Sequence, residues 1–193
     1  MAEVEGVILA AGLSTRAGCF KMEWRLGDRT LIEWAVAGMS PVVDRIIVVG
    51  GFQVERLRAL LDGAAKVEVV YNERYVAGMF SSVKTGLHHV RASRFFLLPG
   101  DHPLVGAAVY RAMLGSTGDV VIPAFQGRKG HPVLMSSRLI DEILQAPDSA
   151  TLRDVMQRFG YETVEIADEG IVLDVDDPDS YQTIRRTYER DYQ

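Results

Sequence analysis

The sequence has little of several features that would point to other classes of protein. Among its 193 residues there is a single cysteine, Cys19, which excludes an intramolecular disulfide and a metal site built on paired cysteines. Positive charge is also scarce, because 21 lysines and arginines stand against 26 aspartates and glutamates, for a net charge of −5. This balance argues against a protein that binds nucleic acid or an anionic membrane surface.

Long hydrophobic runs are missing as well. No apolar stretch approaches the roughly 20 residues that a membrane-spanning helix needs. The acidic start, Met1–Gly6, does not read as a signal peptide. We therefore expect a cytoplasmic protein that contacts no membrane. The length suits one ordinary domain, and no repeat or linker interrupts the chain, so we predict a single domain over residues 1–193.

Short apolar runs alternate with longer amphipathic stretches along the chain. The runs are of strand length and almost continuously apolar, which is typical of strands buried on both faces of a parallel sheet. They are Val7–Ala11, Ile46–Val49, Val67–Tyr71, Phe95–Leu98 and Val120–Pro123. Between them, helices are predicted after the capping-box pair Thr30 and Glu33 and over Val54–Leu61, Val83–Val90 and Val105–Leu114. The alternation predicts an α/β fold, a three-layer sandwich around a mostly parallel, Rossmann-like sheet.

The pattern changes in the last third, which predicts a small β/α insertion. A polar turn over Phe125–Pro132 separates two short strands, the second of which is Val133–Met135. The remaining predicted elements are helices at Leu139–Leu144 and Leu152–Phe159, strands at Thr163–Ile166 and Ile171–Val175, and a last helix from Pro178 toward Arg190.

A loop rich in glycine and cations follows the first predicted strand. Its sequence is Leu9-Ala10-Ala11-Gly12-Leu13-Ser14-Thr15-Arg16-Ala17-Gly18-Cys19-Phe20-Lys21. Glycine lets backbone amides approach a ligand closely, and successive free N–H groups form a nest for anions. Arg16 can hold two phosphate oxygens at once, and Lys21 supplies a mobile charge. Since ligands of open α/β sheets bind beyond the carboxyl ends of strands, the loop predicts a phosphate site.

Two well-known phosphate loops do not fit this stretch. A Walker A loop needs Lys and Ser or Thr directly after its last glycine, but Cys19 and Phe20 follow Gly18. The dinucleotide fingerprint needs three glycines at fixed spacing, and Ser14 stands where its second glycine belongs. On glycine spacing alone, a flexible connection with incidental charges remains an equal alternative.

A carboxylate lies at the matching end of a later strand. Asp101 follows the buried run Phe95–Leu98 and the turn Pro99-Gly100, which places it on the same edge of the sheet as the phosphate loop. Mg²⁺ prefers one or two carboxylates together with phosphate oxygens and water, and Asp101 suits that role. The alternative is an aspartate that caps a turn.

The loop from Leu9 to Lys21 resembles the L-A-A-G-x-S-x-R-x-G-x-x-K signature of the molybdenum cofactor cytidylyltransferase-like nucleotidyltransferases. Only Ala17 departs, since the family usually has a larger apolar residue there. The segment Asn72–Gly86 is similar to the N-x(5)-G-M-x-S-S segment of the same family. The nucleotide-binding residues that this resemblance implies are Leu9, Ala10, Ala11, Gly12, Ser14, Arg16, Lys21, Gly78, Ser81 and Ser82. Ser81 has a second interpretation, as the cap of a helix beginning at Ser82.

The resemblance extends to the metal carboxylates. Gly100-Asp101-His102-Pro103 matches the family's G-D-x-P metal motif, and the stretch around Pro178 is similar to its closing D-x-D-T-P-x-D motif. The second metal ligand implied is Asp176, with Asp174 in reserve. Asp177 and Ser180 depart from the closing motif. Without the resemblance, acidic residues here are ordinary partners of a helix N-terminus.

The resemblance also indicates the acceptor side. Gly127–Val133 resembles the R-x-G-H-P-V element that faces the acceptor, which implies roles for Arg128, Gly130 and His131. The alternative from the residues alone is a solvated turn.

The implied activity is transfer of CMP from CTP to the phosphate of a molybdopterin-type cofactor, with Mg²⁺ as cofactor. Lys21, Arg16 and Asp101 would be catalytic, and Ala11 would favour CTP over GTP by narrowing the base pocket. A molybdoenzyme or its chaperone is an implied transient partner. Two other hypotheses remain, a sugar- or polyol-phosphate nucleotidyltransferase and a non-catalytic nucleotide-binding accessory protein.

Overall fold

The computed structural model describes residues 4–13 and 18–191, with only the backbone of Asp191. The strands are β1 (Val4–Ala10), β2 (Arg25–Leu26), β3 (Arg29–Thr30), β4 (Arg45–Gly50), β5 (Val67–Tyr71), β6 (Arg94–Pro99), β7 (Val120–Phe125), β8 (Arg128–Lys129), β9 (Val133–Ser136) and β10 (Glu162–Glu165). The α-helices are α1 (Leu31–Met39), α2 (Val54–Leu60), α3 (Met79–Leu87), α4 (Ala107–Leu114), α5 (Ile140–Gln145), α6 (Leu152–Phe159) and α7 (Pro178–Asp191).

The main sheet has the strand order β10-β7-β9-β6-β1-β4-β5, and β8 pairs with β7. Strand β9 runs antiparallel to both of its neighbours, whereas the other pairs along this order are parallel. All five predicted apolar runs fall on strands of this sheet, and only Ala11 lies beyond the end of its strand. The short strands β2 and β3 form a separate antiparallel hairpin. The predicted mostly parallel sheet is confirmed.

Helices cover both faces of the sheet because its strands are apolar on both faces. Alternate residues of β1 point to opposite sides, so that Ile8 joins one core cluster and Val7 the other. The first cluster includes side chains of α1, α2 and α4, and the second those of α3, α5 and α6. This is the predicted three-layer sandwich. Among the helices described, none is long and apolar enough to cross a membrane.

Four neighbouring strands end along one edge of the sheet, and this edge positions the site. The ends of β4 and β6 flank that of β1, and β5 pairs with β4 in parallel register. Backbone hydrogen bonds join the segments beyond these ends. Gly100 N donates to Leu9 O at 2.9 Å, and Asn72 N donates to Gly50 O at 2.8 Å.

Two local predictions were wrong. The stretch predicted as a strand over Ile171–Val175 forms a 3-10 helix at Glu169–Val172 and then an irregular segment. Its apolar residues Ile171 and Val175 are fully buried, so the pattern arose from core packing without strand pairing.

The third helix also differs from its prediction. It begins at Met79 rather than Val83, because Gly78 adopts a φ of +100° and starts the helix there. Ser81 therefore lies inside the first turn and does not cap the helix. The predicted capping box at α1 is confirmed, with Thr30 N donating to Glu33 Oε2 at 2.6 Å.

Candidate active site at the carboxyl edge of the sheet

A cleft of about 320 Å³ opens at the carboxyl ends of β1 and β6. Predicted nucleotide-binding and metal-binding residues from four separate segments of the sequence meet around it. The predicted residues that line the cleft are Leu9, Ala10, Ala11, Gly12, Lys21, Gly78, Ser82, Asp101 and Asp176. The structure therefore brings together most of the site that the sequence predicts.

The other predicted residues do not line this cleft or lie outside the described residues. Ser14 and Arg16 belong to the latter group, since residues 14–17 are not described. Ser81 lies beside the cleft and does not line it. The remaining three are the predicted acceptor residues Arg128, Gly130 and His131.

The ammonium group of Lys21 joins the segments that form the cleft. Its Nζ lies 2.8 Å from Asp101 Oδ2, 3.4 Å from Asp176 Oδ1 and 2.6 Å from the carbonyl oxygen of Val175. These contacts connect residues that are 80 and 154 positions apart in the sequence. Only 12% of the Lys21 side chain is exposed, so these charges interact where water screens them weakly.

The direction of Lys21 follows from the residues on both sides of it. Phe20 and Met22 are buried at 3% and 4% exposure, and Lys21 begins a 3-10 helix between them. Met22 packs closely on Gly100, where a Cβ would lie 3.1 Å from the Met22 sulfur. Because the apolar neighbours enter the core, Lys21 is held at the cleft.

Asp101 is held by His102 on one side and by Lys21 on the other. His102 Nδ1 lies 3.0 Å from Asp101 Oδ1, and because a carboxylate only accepts, this nitrogen is the donor. The second oxygen, Oδ2, therefore faces Lys21. Burial acts to raise the pKa of Asp101, but the hydrogen bond from His102 and the charge of Lys21 hold that pKa below its usual value. Asp101 is an anion at neutral pH.

Asp176 is fixed by the start of α7. Ser180 Oγ accepts hydrogen bonds from Asp176 N at 2.9 Å and from Asp177 N at 3.0 Å, and Asp177 Oδ1 accepts from Ser180 N. The two residues that depart from the family's closing motif thus form a reciprocal helix cap. Asp176 lines the cleft, whereas Asp174 is exposed and does not line it. The geometry favours Asp176 over the reserve candidate.

The opposite wall of the cleft comes from the segment after β5. Two of its side chains are strongly exposed, Val76 at 70% and Met79 at 65%. Tyr75 lies against Gly51, where a Cβ would come within 2.4 Å of the Tyr75 Cβ. Because Gly51, directly after β4, has no side chain, Tyr75 can pack against it and this segment can line the cleft.

Sequence reasoning missed several residues that line the cleft. They are Leu13, Met22, Tyr75, Val76, Met79 and Pro99. Four of them lie inside the two segments that carry the resemblance, so contact with the ligand could have been inferred for them. Met22 and Pro99 gave no such signal, because a buried apolar residue beside a strand end reads as core.

The three predicted acceptor residues lie behind Asp101 or away from it. The ring of His131 packs edge-on against that of His102, with their centroids 4.7 Å apart. Its Nδ1 is buried and without a hydrogen-bond partner among the described residues, and burial lowers the pKa of His131 to about 3. Gly130 packs on the carbonyl of Ile171, and Arg128 is exposed on β8.

The donor set of the cleft fits a magnesium ion that also binds phosphate. Within the described part of the chain, no group of three aspartate, glutamate, histidine or cysteine side chains is arranged to hold a metal. Two carboxylates, of Asp101 and Asp176, do converge on one cation, the ammonium of Lys21. Mg²⁺ typically takes one or two carboxylates and completes its shell with phosphate oxygens and water. Asp101 and Asp176 are the residues that would hold it.

Comparison with known proteins identifies the class of protein that this fold and site define. The family model of the MobA-like NTP transferase domain matches residues 6–164. The chain is a nucleotidyltransferase, and it belongs to the MobA-like NTP transferase family.

Three proteins illustrate the similarity. The molybdenum cofactor cytidylyltransferase of Escherichia coli is 29% identical over 97% of this chain and 98% of its own length. A probable molybdenum cofactor guanylyltransferase of Bacillus thuringiensis is 26% identical over 67% of this chain and 66% of its own. A solved nucleotidyl transferase from Methanothermobacter thermautotrophicus shares the fold with a TM-score of 0.84, at 23% identity over 97% of this chain and 98% of its own.

Proposed function

We propose that the protein transfers CMP from CTP to the phosphate of a molybdopterin-type cofactor and releases pyrophosphate, with Mg²⁺ as its metal. The observation that carries this proposal is the meeting of Lys21, Asp101 and Asp176 beside the Ala10–Gly12 loop. The similarity to a cytidylyltransferase over nearly the whole chain supports the choice of substrates.

The chemistry follows from the charge of the reactants. An oxygen of the acceptor phosphate attacks the α-phosphorus of CTP, the bond from that phosphorus to the bridging oxygen breaks, and pyrophosphate leaves with the electron pair. The acceptor phosphate is already ionised at neutral pH, so the reaction needs no general base and no covalent enzyme intermediate. Both reactants are anions, so catalysis consists mainly of positioning and charge neutralisation.

Each charged residue has one part in this scheme. Lys21 would offset the charge on the departing pyrophosphate, together with Arg16, whose placement is outside the described residues. Asp101 and Asp176 would hold Mg²⁺, which neutralises phosphate charge when it is bound. His102 keeps Asp101 aligned through the 3.0 Å hydrogen bond.

The nucleotide would bind between the Leu9–Gly12 loop and the wall formed by Gly78 and Ser82. Ala11 is 4% exposed and packs against Gly51, and its methyl group narrows the floor of the cleft where a glycine would leave more room. A narrow floor supports a pyrimidine over a purine. The preference for CTP over GTP therefore rests on Ala11.

The proposed acceptor residues lie in the segment from Gly127 to Val133. Arg128, Gly130 and His131 remain the proposed acceptor residues, although they do not line the described cleft. Transfer of the product to a molybdoenzyme or its chaperone, and a cytoplasmic location, likewise remain predictions.

A screen of pyrophosphate release tests the proposed reaction. CTP and GTP are each combined with molybdopterin, a sugar phosphate and a polyol phosphate in the presence of Mg²⁺. We expect release with CTP and molybdopterin. Turnover only with a sugar or polyol phosphate would favour that alternative, and binding without turnover for every pair would favour an accessory protein.

Calorimetry tests the base preference separately. We expect CTP to bind more tightly than GTP in the presence of Mg²⁺. GTP binding tighter by about tenfold, or roughly 1.4 kcal/mol, would contradict the role assigned to Ala11.

A further inference from the structure

Asn72 lies beneath the wall of the cleft and is nearly inaccessible, with 2% exposure. It directly follows β5, and its backbone N–H is bonded to Gly50 O. Its side-chain Nδ2 donates to Ser81 Oγ at 2.9 Å and to Ser82 Oγ at 3.0 Å, while its Oδ1 accepts from Arg74 N at 2.9 Å. One buried amide thus joins both ends of the segment that forms this wall.

The orientation of this amide is fixed by chemistry. The backbone N–H of Arg74 can only donate, so the Asn72 atom that faces it must be the carbonyl oxygen. Both hydrogens of the amide group are therefore directed at the two serine hydroxyls. Asn72 acts on them as a donor.

The two serine hydroxyls differ in whether the hydroxyl hydrogen already has an acceptor in the protein. Ser81 Oγ lies 2.7 Å from Gly78 O and 2.9 Å from Arg74 O, and its hydrogen is used within the wall. Ser82 Oγ accepts from Asn72, and within the described part of the chain its hydrogen is given to no protein acceptor. Ser82 lines the cleft, whereas Ser81 does not. The Ser82 hydroxyl is therefore available to donate to a ligand.

We propose that Asn72 is a positioning residue for nucleotide recognition. By donating to Ser82, Asn72 occupies the hydroxyl oxygen and leaves the hydrogen for an acceptor atom of the nucleotide. The bonds to Ser81 and Arg74 fix the orientation of the Asn72 amide for this donation. This inference rests on the proposed function, because it takes the ligand of the cleft to be a nucleoside triphosphate.

The variant Asn72→Asp tests the donor role with almost no change in volume. A carboxylate only accepts, so it would attract the hydrogen of Ser82 away from the cleft. We expect Asn72→Asp to weaken CTP binding by about tenfold, and Ser82→Ala to weaken it by a similar factor, the value of roughly one hydrogen bond. The measurement is calorimetric titration of the full chain with CTP and Mg²⁺. Thr85→Val removes a hydroxyl from the same helix away from the cleft, and as the control it should keep the wild-type affinity.

A double-mutant cycle separates positioning from a merely structural role. If Asn72 acts through Ser82, Asn72→Asp should weaken binding no further in a Ser82→Ala background. Additive losses would overturn the proposal, and so would wild-type affinity in folded Asn72→Asp. Asn72→Ala, which releases Ser82 without adding a charge, gives the same cycle if the aspartate variant does not fold. Failure of the wild-type protein to bind CTP or GTP would instead contradict the proposed function.

Discussion

Two clusters of charge occupy opposite ends of the same sheet, and they differ in how exposed their side chains are. At the amino end, Arg45 Nη1 lies 3.0 Å from Glu5 Oε1, and Glu5 Oε2 also accepts from the backbone N–H groups of Arg91 and Ala92. Arg45 further contacts Glu68. Glu5 is 6% exposed, and its partners hold it in one place.

At the carboxyl end, a cation again lies between two carboxylates, but around an open cleft. Asp176 retains 38% exposure of its side chain, and the ammonium group of Lys21 contacts both Asp101 and Asp176. The residue types are therefore similar at the two ends. What distinguishes the proposed site from the structural cluster is the cleft beside it, which Lys21, Asp101 and Asp176 line.

The largest expected effect is a loss of activity when the cluster at the carboxyl end of the sheet is changed. Lys21→Met and Asp101→Asn should each lower kcat by about 100-fold to 1000-fold or more, because each removes a charge that the transition state needs. Steady-state assays of pyrophosphate release measure this effect, with thermal unfolding as the test of folding. Near-wild-type kcat in either folded variant, at saturating CTP and Mg²⁺, would show that the carboxyl-end cluster has no catalytic role.

A matched substitution at the amino end should lower stability and leave kcat nearly unchanged. Glu5→Gln weakens the interaction with Arg45 and replaces one acceptor oxygen by a donor, so we expect a loss of about 2 kcal/mol in the free energy of unfolding. Its kcat should stay within about twofold of wild type, since a surface or structural substitution distant from the cleft acts on stability. Urea unfolding and the same activity assay decide this. A large fall in kcat with unchanged stability would contradict the distinction between the two ends.

The sequence predicts more of the fold than of the contacts inside the site. The five apolar runs predict the central strands because burial on both faces leaves a local, continuous pattern. Lys21 and Asp101 could be placed at one edge because both follow such runs. By contrast, Ile171 and Val175 are buried without strand pairing, and no local pattern distinguishes the two cases.

The contacts inside the site could not be predicted from the sequence for a related reason. The position of Lys21 between two carboxylates depends on chain segments that only the fold brings together. The use of Ser81 within the cleft wall depends on where α3 begins, and Gly78 sets that start through its positive φ. Motif matches identify which residue types lie at the carboxyl edge of the sheet. They do not identify the atoms that each side chain contacts.

The pH dependence of stability sharpens the comparison further, because the carboxyl end includes His131, whose buried Nδ1 has no hydrogen-bond partner among the described residues. Burial lowers the pKa of His131 to about 3, so the folded state keeps it neutral while the unfolded state takes up a proton below its ordinary pKa of about 6.5. The contribution of neutral His131 to the free energy of unfolding is fully present above pH 6.5 and is lost as the pH falls toward 3. Wild type should lose up to about 2 kcal/mol more than His131→Asn between pH 7 and pH 5. Equal losses in the free energy of unfolding of wild type and His131→Asn, measured with urea, would show that His131 is not held neutral.

The smallest expected effect concerns metal binding in the absence of nucleotide. Because the Lys21 ammonium lies between the carboxylates proposed as metal ligands, metal and lysine should compete for them. Lys21→Met should bind Mn²⁺ about fivefold more tightly than wild type, equivalent to one ion pair of about 1 kcal/mol. Titration followed by electron paramagnetic resonance measures this. Weaker binding by Lys21→Met, with Asp101→Asn as the non-binding control, would exclude such competition.

The most direct test of the whole account is the position of the metal in a complex. Crystals with Mn²⁺ and a non-hydrolysable CTP analogue allow the metal to be located by anomalous scattering. The account predicts one ion at about 2.1 Å from carboxylate oxygens of both Asp101 and Asp176, with Lys21 Nζ moved onto the triphosphate. An ion bound elsewhere, or Lys21 still between the two carboxylates while the analogue fills the cleft, would contradict it.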